Sequence, residues 1–242
     1  MAAGKLVGVG VGPGDPDLLT LKAVRALGEA DAIAFFAKAG NSSHSRAIAA
    51  RHLRSGIVEL PLPYPVTTEL PRCSGPYRDA LARFYDDAAA KIATHIEAGL
   101  RVVVLCEGDP LFYGSYMHLH VRLASRFATE IVAGVTGMSG CWSAAGAPMA
   151  QGDNVFTVLP ATLPEDELAR RLADADAAVV MKIGRHLPKV RRALICSERL
   201  EGAIYIERGT TAAEKMIPLH AKRDDEAPYF AIVLVPGWGR EP

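Results

Sequence analysis

Apolar and polar positions along this chain repeat with two different periods, and the two alternate from the first residues. Runs at 5–11, 32–36 and 101–106 are short and almost wholly apolar, the pattern of buried strands, while 20–30, 77–98 and 115–126 carry apolar residues at helical spacing. Strands alternating with helices predict an α/β fold with parallel strands. The pattern starts again after a glycine-rich stretch at 134–152, with strands predicted at 154–159, 177–182, 203–206 and 230–235. This divides the chain into two α/β domains, 1–133 and 134–242, for which a central cleft is the favoured ligand site. Between the first strands and the long helix, 60–76 carries prolines at 61, 63, 65, 71 and 76 and predicts an exposed connection, of a length that often serves a site.

Composition narrows the function classes. Half of the 242 residues are hydrophobic, and 27 Lys and Arg balance 27 Asp and Glu, so no overall field draws nucleic acid or anionic lipid to the chain. No charged stub precedes an apolar leader segment, and no apolar run approaches the ~20 residues that span a bilayer, so a soluble cytoplasmic protein is expected. Cys73, Cys106, Cys141 and Cys196 lie far apart without a C-x-x-C pair and read as reduced, buried thiols.

Three loops carry the candidate chemistry. Gly8-Val9-Gly10-Val11-Gly12-Pro13-Gly14-Asp15 closes the first strand where a dinucleotide fold would place G-x-G-x-x-G, yet no frame fits: the third glycine falls on Pro13, Asp15 or Asp17. Pro13 removes an N–H donor and the two aspartates add negative charge, both adverse to a pyrophosphate. Close packing of strand against helix, or capping by Asp15 or Asp17, would explain the loop equally well. The functional reading is a bulky ligand with a cationic or neutral centre. Glu107-Gly108-Asp109-Pro110-Leu111-Phe112-Tyr113-Gly114 follows a buried strand at the sheet edge where α/β proteins bind ligands. Gly134-Val135-Thr136-Gly137-Met138-Ser139-Gly140 supplies small residues and hydroxyls ahead of a helix at 141–147, suited to a carboxylate or ribose. His118 and His120, two apart on a helix, point in divergent directions and cannot easily share a metal, so no metal site is expected.

These three loops, in this order, resemble those of the tetrapyrrole methylases, and the likeness extends through Met181-Lys182-Ile183-Gly184-Arg185, Tyr205-Ile206-Glu207-Arg208-Gly209-Thr210 and Pro228-Tyr229-Phe230. The stretches Cys106–Ser115 and Val135–Trp142 look most like the branch that methylates precorrin-2 at carbon 20. Ala133 stands where the family usually has proline, and Ala231 where serine is common. The resemblance implies two α/β domains with S-adenosylmethionine folded in the cleft between them, a homodimer, a tetrapyrrole substrate and no metal in methyl transfer. It implies cofactor contacts from Pro13, Glu107, Gly108, Asp109, Phe112, Tyr113, Thr136, Gly137, Met181, Arg208, Gly209 and Ala231.

The chemistry asks little of side-chain nucleophiles. An enamine-like ring carbon is already electron-rich and the cofactor carries the leaving group, so positioning dominates. Asp15 or Asp109 would stabilise the charge that appears on the macrocycle, or accept the displaced proton; Asp15 is the candidate catalytic residue. Lys182, Arg185, His186, Lys189, Arg191 and Arg192 form the densest basic stretch. It reads either as a clamp for substrate carboxylates, with Arg185 beside the Gly184 turn as the candidate contact, or as the outer face of an amphipathic helix at 187–197. A methylase acting on a cobalt-loaded substrate or another ring carbon, and a tetrapyrrole-binding protein without catalysis, stay open at this point.

Overall fold

The computed structural model describes residues 4–65 and 75–238, which divide into two compact units, 1–136 and 137–242. Unit 1 holds five parallel strands: β1 (Lys5–Gly10), β2 (Ala32–Lys38), β3 (Val58–Tyr64), β4 (Arg101–Cys106) and β5 (Ala128–Val132), in the order β3-β2-β4-β1-β5. Because all run the same way, the loops that follow them gather along one edge. Helices α1 (Leu21–Gly28), α2 (His44–Ala49), α3 (Gly75–Glu97) and α4 (Tyr116–Leu123) supply the layers that bury it. The buried positions of α3, Tyr85, Ala88, Ala89, Ile92, Ala93 and Ile96, follow the i, i+3, i+4, i+7 rule, and those from Ala88 onward pack with Leu6, Val102 and Val104 in the same core. Thr20 and Ser43 cap α1 and α2, accepting from the backbone N–H groups of Ala23 and Arg46.

One sequence expectation fails in unit 1. The proline-rich segment is not a connection throughout, because its first part is the edge strand β3, which pairs with β2 alone. Leu60 and Leu62 are buried while Pro61 and Pro63 are exposed, so the two prolines share the face that needs no cover. Residues 66–74, with Cys73, lie outside the described residues.

Unit 2 contains β6 (Phe156–Pro160), β7 (Ala177–Met181), β8 (Ile204–Glu207), β9 (Lys215–Pro218) and β10 (Ala231–Val235), in the order β6-β7-β10-β8-β9. Here the expectation of parallel strands is corrected: only β6 and β7 pair in parallel, and β10 runs antiparallel to both β7 and β8. No helix of crossover length separates β8 from β9, so they close as an antiparallel pair, which a short loop allows. Helices α6 (Glu165–Asp174) and α7 (Leu187–Cys196) cover one face of this sheet, and α5 (Gly137–Ala145) packs with the other through Cys141 and Met138. Among the described residues no helix is long and apolar enough to cross a membrane.

A charge cluster ties the starts of β1, β4 and β5 to α1. Glu130 accepts from Lys5 at 2.6 Å and Lys22 at 2.9 Å, with Arg101 at 3.8 Å, and these contacts, the Lys5 hydrogen bond first, hold its carboxyl down at about 2. A depressed carboxylate stabilises the fold above its ordinary pKa of 4.5 and loses that contribution as pH falls toward 2. Glu130→Gln is therefore expected to lower the melting temperature at pH 7 by an amount worth about 1 kcal/mol, since the group is partly exposed. The gap between the two proteins should narrow between pH 4.5 and about 2 in a calorimetric series. A gap independent of pH would disprove the ionic origin.

Candidate active site

At the shared edge of unit 1 the three loops meet backbone to backbone. The N–H of Gly108 donates to the carbonyl of Gly12 at 2.8 Å, and these residues form an isolated antiparallel bridge just past the last paired residues of β1 and β4. A Cβ on Gly10 would lie 2.5 Å from the carbonyl oxygen of Gly108 and 2.6 Å from the Cα of Gly134. The glycine spacing that fits no dinucleotide loop is thus a requirement of chain crossing. Gly8, one step earlier, makes room for the ring of Tyr116. Asp15 caps the short 3-10 turn Pro16–Leu18, its Oδ1 accepting from the N–H of Asp17 at 2.9 Å, while Arg51 pairs with Asp17. Close packing and capping, the two structural explanations open in the sequence, are both realised.

The acidic loop after β4 is held from several sides. Oδ1 of Asp109 accepts from the N–H of Leu111 at 2.9 Å, and Oδ2 accepts from that of Gly134 at 3.1 Å, so the carboxylate links the β4 and β5 loops. Glu107 takes a different direction: its Oε1 accepts from the N–H of Ser45 in α2 at 3.1 Å. Although the residue retains solvent-exposed surface, protein crowding around its carboxyl raises the pKa, opposed by the Ser45 hydrogen bond and by His44. A neighbouring cation would favour its ionised form. Tyr113 sits at φ 54 and its ring meets Phe112 edge-on at 4.9 Å. Nothing in the sequence flagged His44 and Ser45, whose only sign is the polar segment that follows β2.

In unit 2 the remaining candidates lie at the ends of β7 and β8. Met181 belongs to the core on the α5 side, with Met138, Cys141 and Trp142, and its carbonyl accepts from Ala161 N–H at 2.7 Å. Gly209 also abuts α5: a Cβ there would lie 2.5 Å from Sγ of Cys141. Gly137 is the first residue of α5, and Thr136 the last of unit 1. Lys182, Arg208 and Thr210 have φ of 59, 48 and 67. With Tyr113, they place non-glycine left-handed backbone inside the very motifs the sequence singled out, and such conformations concentrate at binding and catalytic sites. Ala231 departs from this grouping, since its methyl lies in the core on the α6 and α7 side.

The basic stretch resolves into two kinds of residue. Arg191 donates to the carbonyls of Leu219 and Lys222, Arg192 pairs with Glu165 at 2.7 Å, and Lys189 donates to the carbonyl of Leu163, so these three hold unit 2 together. Arg185, on the exposed 3-10 turn Gly184–His186, makes no hydrogen bond or ion pair with the described residues. A cavity of about 600 Å³ beside β8 is lined by Tyr205, Glu207, Arg208, Lys222 and Asp224, and its charges are internally matched. Lys222 Nζ lies 2.7 Å from Asp224 and 4.8 Å above the Tyr205 ring, while the Tyr205 hydroxyl donates to Glu207 at 2.8 Å.

The thiols and histidines have ordinary surroundings. Cys106 and Cys141 are buried, and burial raises both thiol pKa values, Cys141 to about 12. Cys196 is exposed, contrary to the expectation of buried thiols, because it falls on the outer side of α7 in its last turn. His118 stacks on Tyr85 at 4.1 Å, and His120 Nδ1 lies 3.4 Å from the Tyr116 hydroxyl.

Taken together, these features define an α/β protein with two sheets, in which the loops after β1 and β4 are acidic and glycine-bearing and the first replaces an N–H donor with proline. Residues 5–223 match the family model described as Tetrapyrrole (Corrin/Porphyrin) Methylases, and the chain belongs to that family. It is 59% identical over 242 residues to a Precorrin-2 C(20)-methyltransferase of Sinorhizobium sp, covering 100% of this chain and 99% of that protein. It is 51% identical over 239 residues, 99% of this chain, to the Cobalamin biosynthesis protein CobIJ of Mycobacterium tuberculosis (strain ATCC 25618 / H37Rv), of which it spans 47%. Among solved structures it is similar to a cobalamin biosynthetic enzyme, cobalt precorrin-4 methyltransferase CbiF, with a TM-score of 0.73, 25% identity, and coverage of 98% of this chain and 96% of that one.

Proposed function

We propose that this protein methylates precorrin-2 at carbon 20 to give precorrin-3A in cobalamin biosynthesis, with S-adenosylmethionine as methyl donor. The observation that carries the reading is the 59% identity, along the whole chain, to a relative bearing that name. The residues fit the cofactor: Pro13 offers no N–H to a phosphate, while Asp15 and the raised carboxyl of Glu107 suit a sulfonium cation. When bound, the cofactor supplies an electrophilic methyl group. Pro13, Glu107, Gly108, Asp109, Phe112, Tyr113, Thr136, Gly137, Met181, Arg208, Gly209 and Ala231 are the residues we assign to holding it, Ala231 through its backbone.

Both carboxylate oxygens of Asp109 accept backbone N–H groups and tie two loops together, and we assign proton acceptance from the methylated carbon to Asp15. Arg185 is the cation we assign to a substrate carboxylate. A cytoplasmic homodimer acting on the metal-free macrocycle completes the proposal, supported by the family resemblance and checked by light scattering.

The decisive experiment incubates the protein with precorrin-2 and methyl-labelled S-adenosylmethionine and reads the product by NMR. Label at carbon 20 is expected; label at another carbon makes it a different methylase, and unlabelled tetrapyrrole makes it a binder without catalysis. Asp15→Asn, which preserves the cap, is expected to cut turnover at least about tenfold with S-adenosylhomocysteine affinity nearly unchanged. Unaltered turnover removes Asp15 from the mechanism.

A further inference from the structure

Ser115 occupies the N-cap position of α4, yet its hydroxyl makes no capping hydrogen bond to that helix. Serine at this position ordinarily satisfies one of the first helical N–H groups. Here the hydroxyl is engaged by two tyrosines instead: Tyr85 of α3 donates to Oγ at 3.3 Å, and the hydroxyl of Tyr64, the last residue of β3, shares a short hydrogen bond with it. Both tyrosines belong to an aromatic group in which Phe36, the last ring of β2, stacks on Tyr64 with centroids 5.5 Å apart, and Phe84 lies 5.1 Å from each of Tyr64 and Tyr85. Burial raises the Tyr85 phenol, so it stays protonated and able to donate.

The position of Ser115 in the chain gives this arrangement its meaning. It follows directly on the acidic loop, whose near end is fixed by the Gly108 to Gly12 hydrogen bond and whose middle is fixed by Asp109 on Gly134. The far end of the loop also runs into the first turn of α4, where Met117 N–H donates to the carbonyl of Gly114 and His118 N–H to that of Ser115. Through the two tyrosines, it is attached to the end of the strand β3 and to the middle of the long helix α3. The left-handed Tyr113 lies between the fixed points, a conformation that persists only where its surroundings over-determine it.

We propose that Ser115 is a positioning residue: its hydroxyl gives up helix capping to anchor the far end of the Glu107–Gly114 loop to Tyr64 and Tyr85, and so sets the placement of Phe112 and Tyr113 for methyl transfer. The inference rests on the reading of this loop as part of the methyltransferase site.

The test compares wild type with Ser115→Ala, Ser115→Thr, Tyr85→Phe and the Ser115→Ala/Tyr85→Phe double variant. Ser115→Ala is expected to lower kcat at least about tenfold, with the melting temperature within a few degrees of wild type because no cap is lost. Ser115→Thr, which keeps the hydroxyl, should recover most of the rate. The double variant should be no slower than the slower single one, as two members of one junction require. Backbone amides of residues 108–114 should exchange hydrogen faster in Ser115→Ala without any ligand present. Wild-type kcat in Ser115→Ala, failure of rescue by threonine, additive losses in the double variant, or unchanged exchange would each overturn the proposal. Because exchange needs no turnover, loosened amides in Ser115→Ala beside a wild type that transfers no methyl would sink the functional reading and leave the anchoring intact.

Discussion

Gly134→Ala is expected to reduce methyl transfer about a hundredfold or more while leaving the secondary structure of unit 1 in place. The added Cβ would lie 2.1 Å from the carbonyl oxygen of Gly108 and 2.8 Å from the Cα of Gly10. Both neighbours are main chain, so no rotamer change relieves the clash and the three loops must part. Overpacking of this kind costs about 1–3 kcal/mol, less than unfolds most domains, whereas an ångström of displacement at a reacting centre can cost about 10²-fold in rate. The same shift would stretch the bond from Gly134 N–H to Asp109, loosening the acidic loop as well. Initial rates with labelled cofactor, circular dichroism and calorimetry with S-adenosylhomocysteine separate rate, fold and binding. Gly28→Ala is the control: a Cβ there meets nothing within 4 Å, and it sits in the helix α1. A Gly134→Ala protein as fast as wild type would show that the contact of the loops does not matter to catalysis.

The second large effect is on stability. Arg199 is 4% exposed and its guanidinium donates to three carbonyls near the end of α6: Leu172 at 3.1 Å, Ala175 at 2.6 Å and Asp176 at 2.7 Å. Those of Leu172 and the C-cap Ala175 are groups that a helix end leaves without intrahelical partners, and the positive charge also meets the negative end of the helix dipole. Charge-assisted bonds contribute about 1.5–3 kcal/mol each, so Arg199→Ala should destabilise unit 2 by about 4 kcal/mol after allowance for non-additivity. For a unit of this size the melting temperature should fall by more than about 10 °C. Arg199→Lys, with one ammonium in place of a fork, should lose about half as much. Scanning calorimetry that finds a fall of only a degree or two for Arg199→Ala would refute the capping role.

Much of the fold was legible because unit 1 obeys the rule behind the reading. A strand buried on both faces shows as an uninterrupted apolar run, and 101–106 was bounded correctly on that ground alone. The edge strand Val58–Tyr64 is hidden in the sequence because its prolines signal lost donors, and an edge strand has a row of backbone groups for which no donor is needed. In unit 2, β9 carries four residues with an exposed Ile217, too short and too exposed to show a period. Periodicity also says nothing of direction, so the antiparallel β10 could not be told from a parallel strand.

The loops of the candidate site were legible as motifs, but their internal wiring was not. Asp109 could be read as acidic and near a sheet edge; that both its oxygens are occupied by Leu111 and Gly134 N–H groups depends on tertiary approach. The same holds for Arg185 against Arg191 and Arg192, adjacent in sequence and alike in charge. Only the folded chain separates Arg185, which makes no hydrogen bond or ion pair with the described residues, from two arginines that brace unit 2. In sequence Ser115 reads as an ordinary helix start, because its tyrosine partners lie 30 and 51 residues away.

The uneven placement of the thiols has a practical outcome. Cys106 and Cys141 are shielded and reluctant to ionise, whereas Cys196 projects from the last turn of α7. In a Cys73→Ser background, a maleimide dye at neutral pH would attach to Cys196, a reporter on the second unit that leaves every loop of the first chemically untouched.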